Sequence, residues 1–439
     1  MNSCLQLKNI TLQEHQRKII KFILKPSVRG VLVYHSMGSG KSLTSVVAVK
    51  CLLEKYPEKK AIIITPANLV STFEREMKKI HLDTKKIEIY SYNKFITGGH
   101  KCSGSIIIVD ESHNLNGVSS ERFKKIYECT KKAFKVILLS ATPIRNSPSE
   151  IVNQLSLLKG SDIKRGIIEE LAYLNNKPIE KQVLDKLFKC NVSFYKNEST
   201  VDYPVVKRHI INFTMTPKFY RDYYKLQEDI RGDLPEIFAS TKNLTVFLNG
   251  IRRGVNKTHE VSPKISWALE KIMENKKILV YSNWLDSGIN IIKTALQQAG
   301  VPFGEISGKV PKEQKDNYIK MYNSDKIKVM LISSSGGEGL SLKGTRTVVI
   351  LEPHWNNAKL DQVTGRAIRY RSHSHLPENQ RRVDIYSLLL EKPELKRQGD
   401  SLPSADTVLY KMAQSKEKII DDFYKKLKAR SIENDKSCI

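Results

Sequence analysis

VLVYHSMGSGKS, residues 31–42, joins a strand-length apolar run to a glycine turn and then to a lysine and a serine that can open a helix. Gly38 and Gly40 allow the backbone of such a turn to wrap its amide groups around a phosphate. Lys41 can then reach the β- and γ-phosphates of a nucleotide, and the Ser42 hydroxyl can bind Mg²⁺. The order of strand, turn and helix therefore favours phosphate binding.

The match to the strict P-loop pattern, GxxxxGK[ST], is incomplete. His35 occupies the position at which that pattern has its first glycine. An ordinary loop between a strand and a helix thus stays open as the alternative at this stage.

Strand-length apolar runs alternate with longer amphipathic segments on both sides of this stretch. Continuous apolar strands separated by helices predict parallel sheets with both faces covered, so the expected fold class is α/β with two such domains. The first series of predicted strands covers residues 30–34, 61–65, 86–90, 105–110 and 135–142, and the second covers 277–283, 304–307, 328–334, 347–352 and 383–389.

The chain between the two series has a different character. Residues 160–262 are rich in Lys and Glu with few apolar runs, which predicts a mainly helical insertion or linker. One long helix is predicted near the C-terminus, over residues 405–430. The expected domain division is 1–159, 160–262, 263–391 and a C-terminal helical extension at 392–439.

Composition indicates a soluble globular protein with a polyanionic partner. Of 439 residues, 73 are Lys or Arg and 46 are Asp or Glu, which gives a formal net charge of +27. Such an excess predicts phosphate contacts, most simply with nucleic acid, although a generally lysine-rich proteome is an alternative. The apolar runs are too short to span a membrane, and the N-terminus does not resemble a signal peptide, so no membrane partner is expected.

The cysteines are scattered and never form a CxxC pair, which argues against a zinc site and against a disulfide framework. They are expected to be free, mostly buried thiols in a protein of a reducing compartment. The positions are Cys4, Cys51, Cys102, Cys129, Cys190 and Cys438.

A second chemical signal is SIIIVDESH, residues 105–113, in which two carboxylates follow a buried type of strand. Asp110 can hold Mg²⁺ through a water, and Glu111 can orient and deprotonate an attacking water. Adjacent carboxylates at the end of an apolar strand are unfavourable unless a cation or a donor satisfies them. His113 either couples this segment to another site or caps the turn.

A third signal is KVILLSATPIRN, residues 135–146. The hydroxyls of Ser140 and Thr142 follow another predicted strand, where they could connect a nucleotide site to a nucleic-acid groove. A simple turn stabilised by these hydroxyls before Pro143 is the alternative.

Near the end of the second series, TGRAIRYRSH at residues 364–373 contains three arginines. If this stretch is a helix, Gln362, Arg366 and Arg369 share one face, whereas Arg371 turns away. Like charges at that spacing repel each other, so a negatively charged partner is expected for Arg366 and Arg369.

Taken in order, HSMGSGKS, ITPANLVSTF, DESH, SATPIRN, ISSSGGEGLSL and QVTGRAIRYR resemble the motif series of the superfamily 2 helicase-like ATPases. The resemblance implies two RecA-like domains that use ATP and Mg²⁺, with arginines of the second domain facing the γ-phosphate. The glycine position taken by His35 varies in that family.

The resemblance also implies roles for individual residues, matched motif by motif. Gln16 is expected to read adenine, although a surface glutamine is the alternative, and the strand-end segments near residues 65 and 91 could equally be ordinary turns. The expected catalytic residues are Lys41, Asp110, Glu111, Gln362, Arg366 and Arg369. The expected nucleotide-binding residues are Gln16, Met37, Gly38, Ser39, Gly40, Lys41, Ser42 and Gly339, with Ser42 and Asp110 on Mg²⁺. The expected nucleic-acid contacts are Thr65, Pro66, Ser91, Tyr92, Ser334 and Gly337.

DESH, SATPIRN and EPHWNNAKLDQ together resemble the Swi/Snf-like branch, in which Trp355 would fall in a W-N segment or simply pack in the core. NVSFYKNESTVDYP and the stretches at 365–389 and 404–433 resemble a viral subgroup that includes poxvirus nucleoside triphosphatase I and the small subunit of the early transcription factor.

This subgroup implies a DNA-dependent ATPase that translocates during viral transcription, in the cytoplasm or the virion. DNA is expected to be preferred over RNA, and RNA polymerase or transcription-factor subunits are the implied protein partners. The poxvirus proteins are longer, which argues against a polymerase or promoter contact of their kind. The alternatives are an unwinding DNA or RNA helicase, and a promoter-binding subunit that uses ATP as a switch.

Overall fold

The computed structural model describes residues 3–8, 10–115, 120–161, 163, 181–196, 202–232, 241–274, 276–334, 340–394 and 397–438. The chain forms two compact units. Unit 1 comprises residues 1–198 and 416–439, and unit 2 comprises residues 199–415.

The described part of unit 1 contains a parallel sheet of six strands in the order β3-β2-β4-β5-β1-β6. The five strands predicted in the first series are confirmed. The strands are β1 (Gly30–His35), β2 (Ala61–Thr65), β3 (Ile87–Ser91), β4 (Ile106–Val109), β5 (Lys135–Ser140) and β6 (Val192–Tyr195).

Helices cover both faces of this sheet. Along β1, Leu32 belongs to one apolar cluster, whereas Val31 and Val33 belong to another, as the alternation of side chains along a strand requires. A strand that is apolar at every position is therefore buried on both sides. The helices of unit 1 are α1 (Glu14–Ile23), α2 (Lys41–Lys55), α3 (Val70–Lys79), α4 (Tyr92–Thr97), α5 (Glu121–Lys131), α6 (Ile151–Lys159) and α7 (Lys181–Phe188).

The described part of unit 2 contains a second parallel sheet of six strands, in the order β7-β12-β11-β8-β10-β9. The five strands predicted in the second series are confirmed. The strands are β7 (Val205–Thr214), β8 (Ile278–Ser282), β9 (Phe303–Ile306), β10 (Val329–Ser333), β11 (Thr347–Ile350) and β12 (Arg382–Glu391).

Unit 2 also contains helices that cover its sheet. The long helix α14 (Ala405–Lys428) begins in unit 2 and ends in unit 1, because unit 1 resumes at residue 416. This helix confirms the long C-terminal helix predicted over residues 405–430. The helices are α8 (Pro217–Gly232), α9 (Thr241–Ile251), α10 (Pro263–Met273), α11 (Asn290–Gln298), α12 (Lys312–Asn323), α13 (Asn357–Thr364) and α14 (Ala405–Lys428). Two parallel α/β units thus confirm the predicted fold class. No helix in the described ranges is long and apolar enough to cross a membrane.

The segment predicted to be mainly helical also contains β6 and β7, each at an edge of its sheet. The sequence missed both strands for a physical reason. β6 has only four residues, and the first half of β7 is exposed, so neither shows the continuous apolar run of a central strand. The domain boundaries at 159, 262 and 391 stay a prediction.

The expectation of free thiols is wrong. The structure pairs Cys4 with Cys51, Cys102 with Cys129, and Cys190 with Cys438, and Cα–Cα distances of 5.2–5.3 Å suit disulfides. All three pairs lie in unit 1. Their sequence separations of 47, 27 and 248 residues explain why no short cysteine motif reveals them. The cysteines therefore give no support for a reducing compartment.

Protein purified without a reducing agent is expected to contain three disulfides. Alkylation in guanidinium chloride should then add no label to the six cysteines, whereas prior reduction should allow six adducts by intact mass. Reduction should also lower Tm. In the chain-entropy description, a bond that closes a loop as long as that between Cys190 and Cys438 lowers the entropy of the unfolded chain and stabilises the folded state by about 5 kcal/mol. Six adducts without reduction would contradict the pairing.

Candidate active site

The turn between β1 and α2 has the backbone that its glycines suggested. Gly38 has φ 76° and Gly40 has φ 80°, both in the left-handed region that favours glycine. A Cβ on Gly40 would lie 2.5 Å from Nε2 of Gln16, so a larger residue here would also displace the Gln16 side chain. The turn ends where α2 begins, and amide groups at such a helix start can bind phosphate.

Two side chains of helix α1 contact the backbone of this turn. The Nε2 group of Gln16 donates to the Ser39 carbonyl over 3.2 Å, and its Oε1 accepts from the backbone N–H of Gln13. His15 Nε2 lies 3.2 Å from the same carbonyl. Gln16 is 4% exposed, so the alternative of a surface glutamine is wrong. Its expected role in reading adenine stays a prediction.

Lys41 begins α2 and folds back over the turn. Its Nζ donates to the carbonyl of His35 over 2.8 Å and to the carbonyl of Ser36 over 3.2 Å. An ammonium held by neutral carbonyls can exchange them for phosphate oxygens, which bind it more strongly because they are charged. Ser42 follows in the first turn of α2, and Met37 lies half-buried in the glycine turn.

Asp110 lies at the carboxyl end of β4, 3% exposed. The Thr65 hydroxyl at the end of β2 donates to its Oδ2 over 3.0 Å. Burial, and next the neighbouring charge of Glu111, raise the pKa of Asp110 to about 7, whereas Lys41 and the Thr65 hydrogen bond act in the opposite direction. Asp110 is therefore a carboxylate whose negative charge needs a nearby cation.

Glu111 adopts a left-handed conformation with φ 49°, and its side chain remains partly exposed. Its Oε2 lies 3.4 Å from Nδ1 of His113, and the same nitrogen lies 2.9 Å from Oγ of Ser140 at the end of β5. The backbone N–H of Thr142 also donates to Ser140 Oγ, so the predicted hydroxyl turn is present as well. His113 Nδ1 thus lies between the carboxylate of Glu111 and the hydroxyl of Ser140 in SATPIRN.

The residues present fit Mg²⁺ with nucleotide. Mg²⁺ prefers oxygen ligands and is often held by one or two protein groups together with substrate phosphates. The Ser42 hydroxyl and the Asp110 carboxylate are donors of this kind, and a cation beside Asp110 would offset the cost of burying its charge.

Three of the expected nucleic-acid contacts in unit 1 bind their own chain. Thr65 is fully buried on Asp110, and the Tyr92 hydroxyl, also buried, donates to the Asp110 carbonyl over 2.6 Å. Ser91 caps α4 by accepting from the backbone N–H of Lys94. Pro66 is half-buried beside Thr65. Thr65 and Tyr92 thus hold the DESH segment in place, and contact of all four residues with nucleic acid stays a prediction.

In unit 2, the helical interpretation of residues 364–373 is wrong. Helix α13 ends at Thr364, so Gln362 lies in its last turn, whereas Arg366 and Arg369 lie in the turns that follow. The Ser372 hydroxyl accepts from the backbone N–H of Arg369 and donates to the Ala367 carbonyl, which closes these turns. The three residues therefore do not form a helical stripe.

The turns that carry the arginines are fixed to the segment after β10. The Leu342 N–H donates to the Arg366 carbonyl over 3.0 Å, and His373 Nε2 lies 2.7 Å from the Thr345 carbonyl. Arg366 is 7% exposed, and Gln362 is also buried. Arg371 departs from the pair, as expected, and its Nε donates to Asp202 over 2.9 Å.

The remaining predicted residues of unit 2 are described only in part. Ser334 follows β10, and its carbonyl accepts from Lys359 Nζ over 3.0 Å. Gly337 and Gly339 lie outside the described residues. Trp355 packs against an apolar cluster, and its ring lies 5.4 Å from the guanidinium of buried Arg252.

Sequence reasoning missed several residues around the glycine turn. His15 stacks on Tyr195 of β6 with ring centroids 3.7 Å apart, and His35 Nε2 lies 2.8 Å from Ser193 Oγ. These partners are more than 150 residues apart in the chain, so no local pattern could reveal them. The only available signal was the histidine itself, at a position where the strict motif has glycine.

A glycine turn with its lysine, followed on neighbouring strands by two carboxylates and a serine–threonine pair, is typical of an ATP-hydrolysing enzyme of the P-loop type. Comparisons with known proteins agree. Residues 9–104 match the family model described as "Type III restriction enzyme, res subunit", and residues 263–371 match "Helicase conserved C-terminal domain".

Three similar proteins come from large DNA viruses. A protein of Acanthamoeba polyphaga mimivirus named a putative ATP-dependent RNA helicase is 33% identical over 98% of this chain and 99% of its own length. Nucleoside triphosphatase I of Choristoneura biennis entomopoxvirus is 26% identical over 99% and 81%. A termination factor NPH-I homologue of African swine fever virus is 24% identical over 82% and 69%. The chain belongs to the superfamily 2 helicase-like ATPases and is an ATP-hydrolysing enzyme.

The raised pKa of Asp110 predicts a pH-dependent stability difference. Between the unfolded value of 3.8 and about 7, the native state keeps a proton that the unfolded state has lost, so the stability contributed by Asp110 is full below 3.8 and is lost as pH rises through about 7. In nucleotide-free EDTA buffer, Asp110→Asn should therefore raise Tm relative to the wild type at about pH 8, and much less at about pH 5.

Differential scanning fluorimetry across this pH range measures the effect. Asp421→Asn is the matched control, because Asp421 is exposed on α14. An Asp110→Asn shift of equal size at every pH, or one shared by the control, would contradict the assignment.

Proposed function

We propose that this protein is a DNA-dependent ATPase that translocates along nucleic acid during viral transcription. The observation that carries the proposal is the connection from Glu111 through His113 to Ser140. It joins a partly exposed carboxylate, suited to activating water, to the segment SATPIRN on the neighbouring strand. A change at Glu111 during hydrolysis can thereby shift SATPIRN through His113.

In the proposed reaction, water attacks the γ-phosphate of ATP, and ADP and phosphate leave. Glu111 orients the water and accepts its proton. Lys41 and the turn amides bind the phosphates. When bound, Mg²⁺ on Ser42 and Asp110 would neutralise phosphate charge. Arg366 and Arg369, assisted by Gln362, stabilise the charge that develops during transfer, a task for which the guanidinium fork is well suited.

The nucleic-acid and transcription parts of the proposal have separate support. The net charge of +27 favours a polyanionic partner. The names of the entomopoxvirus and African swine fever virus relatives refer to a nucleoside triphosphatase and to a termination factor. A role beside RNA polymerase, in the cytoplasm or the virion of a large DNA virus, is consistent with these relatives.

A second candidate is an RNA helicase. The mimivirus relative, at 33% identity over nearly the whole chain, carries that name. The two candidates differ in their activating polymer and in strand separation, because a translocase need not unwind a duplex. A promoter-binding subunit that uses ATP as a switch would instead bind one DNA sequence tightly without ATP.

Glu111→Gln is expected to lower kcat by roughly 10²–10⁴-fold, because it removes the base that activates water. Binding of a fluorescent ATP analogue should change little, since Glu111 does not hold the phosphates. Glu128→Gln is the matched control, because Glu128 is exposed on α5. Wild-type turnover in Glu111→Gln would remove Glu111 from the mechanism.

Steady-state ATP hydrolysis should be measured alone and with single-stranded DNA, double-stranded DNA or RNA. DNA is expected to stimulate the wild type, and the stimulation should fall as salt rises because phosphate contacts release counterions. Arg366→Ala should reduce stimulated turnover by roughly 10³-fold or more. Arg371→Ala, which removes the bond to Asp202 and the contact with the Tyr370 ring, should stay close to the wild type.

Stimulation by RNA alone, together with displacement of a strand from a tailed duplex, would favour the RNA helicase. Hydrolysis that ignores all three polymers would reject both candidates in favour of an ATPase activated by a protein partner.

A further inference from the structure

The last residues of the chain return to strand β6 of unit 1 and form a segment that we call the C-terminal clasp, residues 430–438. The backbone N–H of Cys190 donates to the Arg430 carbonyl over 3.3 Å, and that of Ile432 donates to the Val192 carbonyl over 2.9 Å. Ile432 is buried, and Cys438 is joined to Cys190. The clasp is therefore an ordered part of the sheet edge.

Within the clasp, the carboxylate of Glu433 binds two groups of β6. Its Oε2 accepts from the backbone N–H of Phe194 over 2.8 Å, and its Oε1 accepts from the hydroxyl of Ser193. Ser193 is fully buried. Hydrogen bonds to a charged acceptor are stronger than neutral ones, so Glu433 fixes both the backbone and the side chain at this end of β6.

The Ser193 hydroxyl has one proton, and it donates that proton to Glu433. The 2.8 Å contact with His35 must then run from Nε2–H of His35 to Ser193 Oγ, which places the imidazole proton on Nε2. His35 is fully buried, and burial holds its pKa well below the usual value, so the ring is neutral. The carbonyl of this same residue accepts from Lys41 Nζ.

A second route leads from Glu433 to the glycine turn. Phe194, whose N–H binds Glu433, is followed by Tyr195, which stacks on His15. His15 in turn contacts the Ser39 carbonyl within the turn. Both ends of the phosphate-binding turn, at His35 and at Ser39, are thus supported by contacts that lead back to one carboxylate.

We propose that Glu433 is a positioning residue for the nucleotide site, which sets the shape of the glycine turn through Ser193 and His35 without touching the nucleotide. This inference rests on the proposed binding of ATP at that turn. Other contacts hold the clasp independently, namely the Cys190–Cys438 disulfide and the bond from Arg430 Nε to Asp185. Because these contacts attach the clasp without Glu433, the two hydrogen bonds of the Glu433 carboxylate act mainly on the position of β6 beside the glycine turn.

The test compares ATP hydrolysis by the full chain carrying Glu433→Gln, Ser193→Ala or both changes, with Glu128→Gln as the matched control. Each variant's KM, kcat and Tm should be measured without nucleic acid and with saturating DNA. Glutamine has the size of Glu433, but it replaces one acceptor oxygen with an amide that donates. Both groups that face residue 433, the Ser193 hydroxyl and the Phe194 N–H, donate to it in the wild type. KM for ATP is expected to rise roughly tenfold while kcat changes less than about twofold, the pattern of binding lost equally from the ground state and the transition state.

The double variant should have nearly the KM of the stronger single variant, because both changes break the same chain of contacts. Wild-type KM in the single variants, or a lowered Tm without a change in KM, would overturn the inference and leave Glu433 a structural contact. Additive effects would show that Glu433 does not act through Ser193. If Glu433→Gln fails to fold, Ser193→Ala alone decides.

Replacing both Cys190 and Cys438 with serine provides an independent measurement, because it removes that one disulfide and leaves the other two in place. Losing the Cys190–Cys438 bond should weaken the attachment of the clasp, so KM should rise less in this variant than in Glu433→Gln. A larger rise in the serine variant would assign the effect to the disulfide instead. A wild type that hydrolyses no ATP under any condition would reject the proposed function itself, whereas an active wild type with unaffected variants would reject only the role of Glu433.

Discussion

The parallel pairing of β1, β2, β4 and β5 is the constraint on which the nucleotide site depends. Strands that run in the same direction end at the same edge of the sheet, so whatever follows each strand is brought to one place. Here the residues that follow or end these strands are the glycine turn, Thr65, Asp110 and Ser140. These residues are up to about a hundred positions apart in the sequence, yet they lie close together because the pairing of the strands fixes the distances between the strand ends.

This edge concentrates negative charge, and the contacts around it make that tolerable. Asp110 is buried next to Glu111, which is costly unless donors or cations compensate. The Thr65 hydroxyl, the nearby charge of Lys41 and a backbone hydrogen bond from Glu111 each reduce the cost. Burial and the charge of Glu111 still raise the pKa of Asp110, and a cation bound beside its carboxylate would offset that cost. The donors at this edge are of the kind that fit a metal–nucleotide complex.

The C-terminal part of the chain belongs to unit 1 together with the early motifs. Phe423 and Leu427 of α14 are buried in one of its apolar clusters, and the Tyr424 hydroxyl lies 3.3 Å from both the N and the O of Ile144 in SATPIRN. Together with the clasp, these contacts make the end of the chain a structural neighbour of the ATPase motifs. Two of the three disulfides of the same unit join Cys4 and Cys438, near the two ends of the chain, to Cys51 and Cys190.

The sequence by itself determined the α/β class, ten of the strands, the long last helix and the residues of the glycine turn, because each depends on local periodicity or on a backbone that only glycine adopts. It also identified Asp110, Glu111 and His113 as a group. Only the tertiary structure decided that Thr65 and Tyr92 support Asp110, that the arginine segment leaves the helix after Thr364, that the cysteines pair, and that Glu433 reaches Ser193. Most of these contacts join side chains that are far apart in the chain. The end of the helix at Thr364 is followed by turns that the Ser372 hydroxyl closes through hydrogen bonds to the backbone. Neither the hydrophobic pattern nor the motif spacing records such contacts.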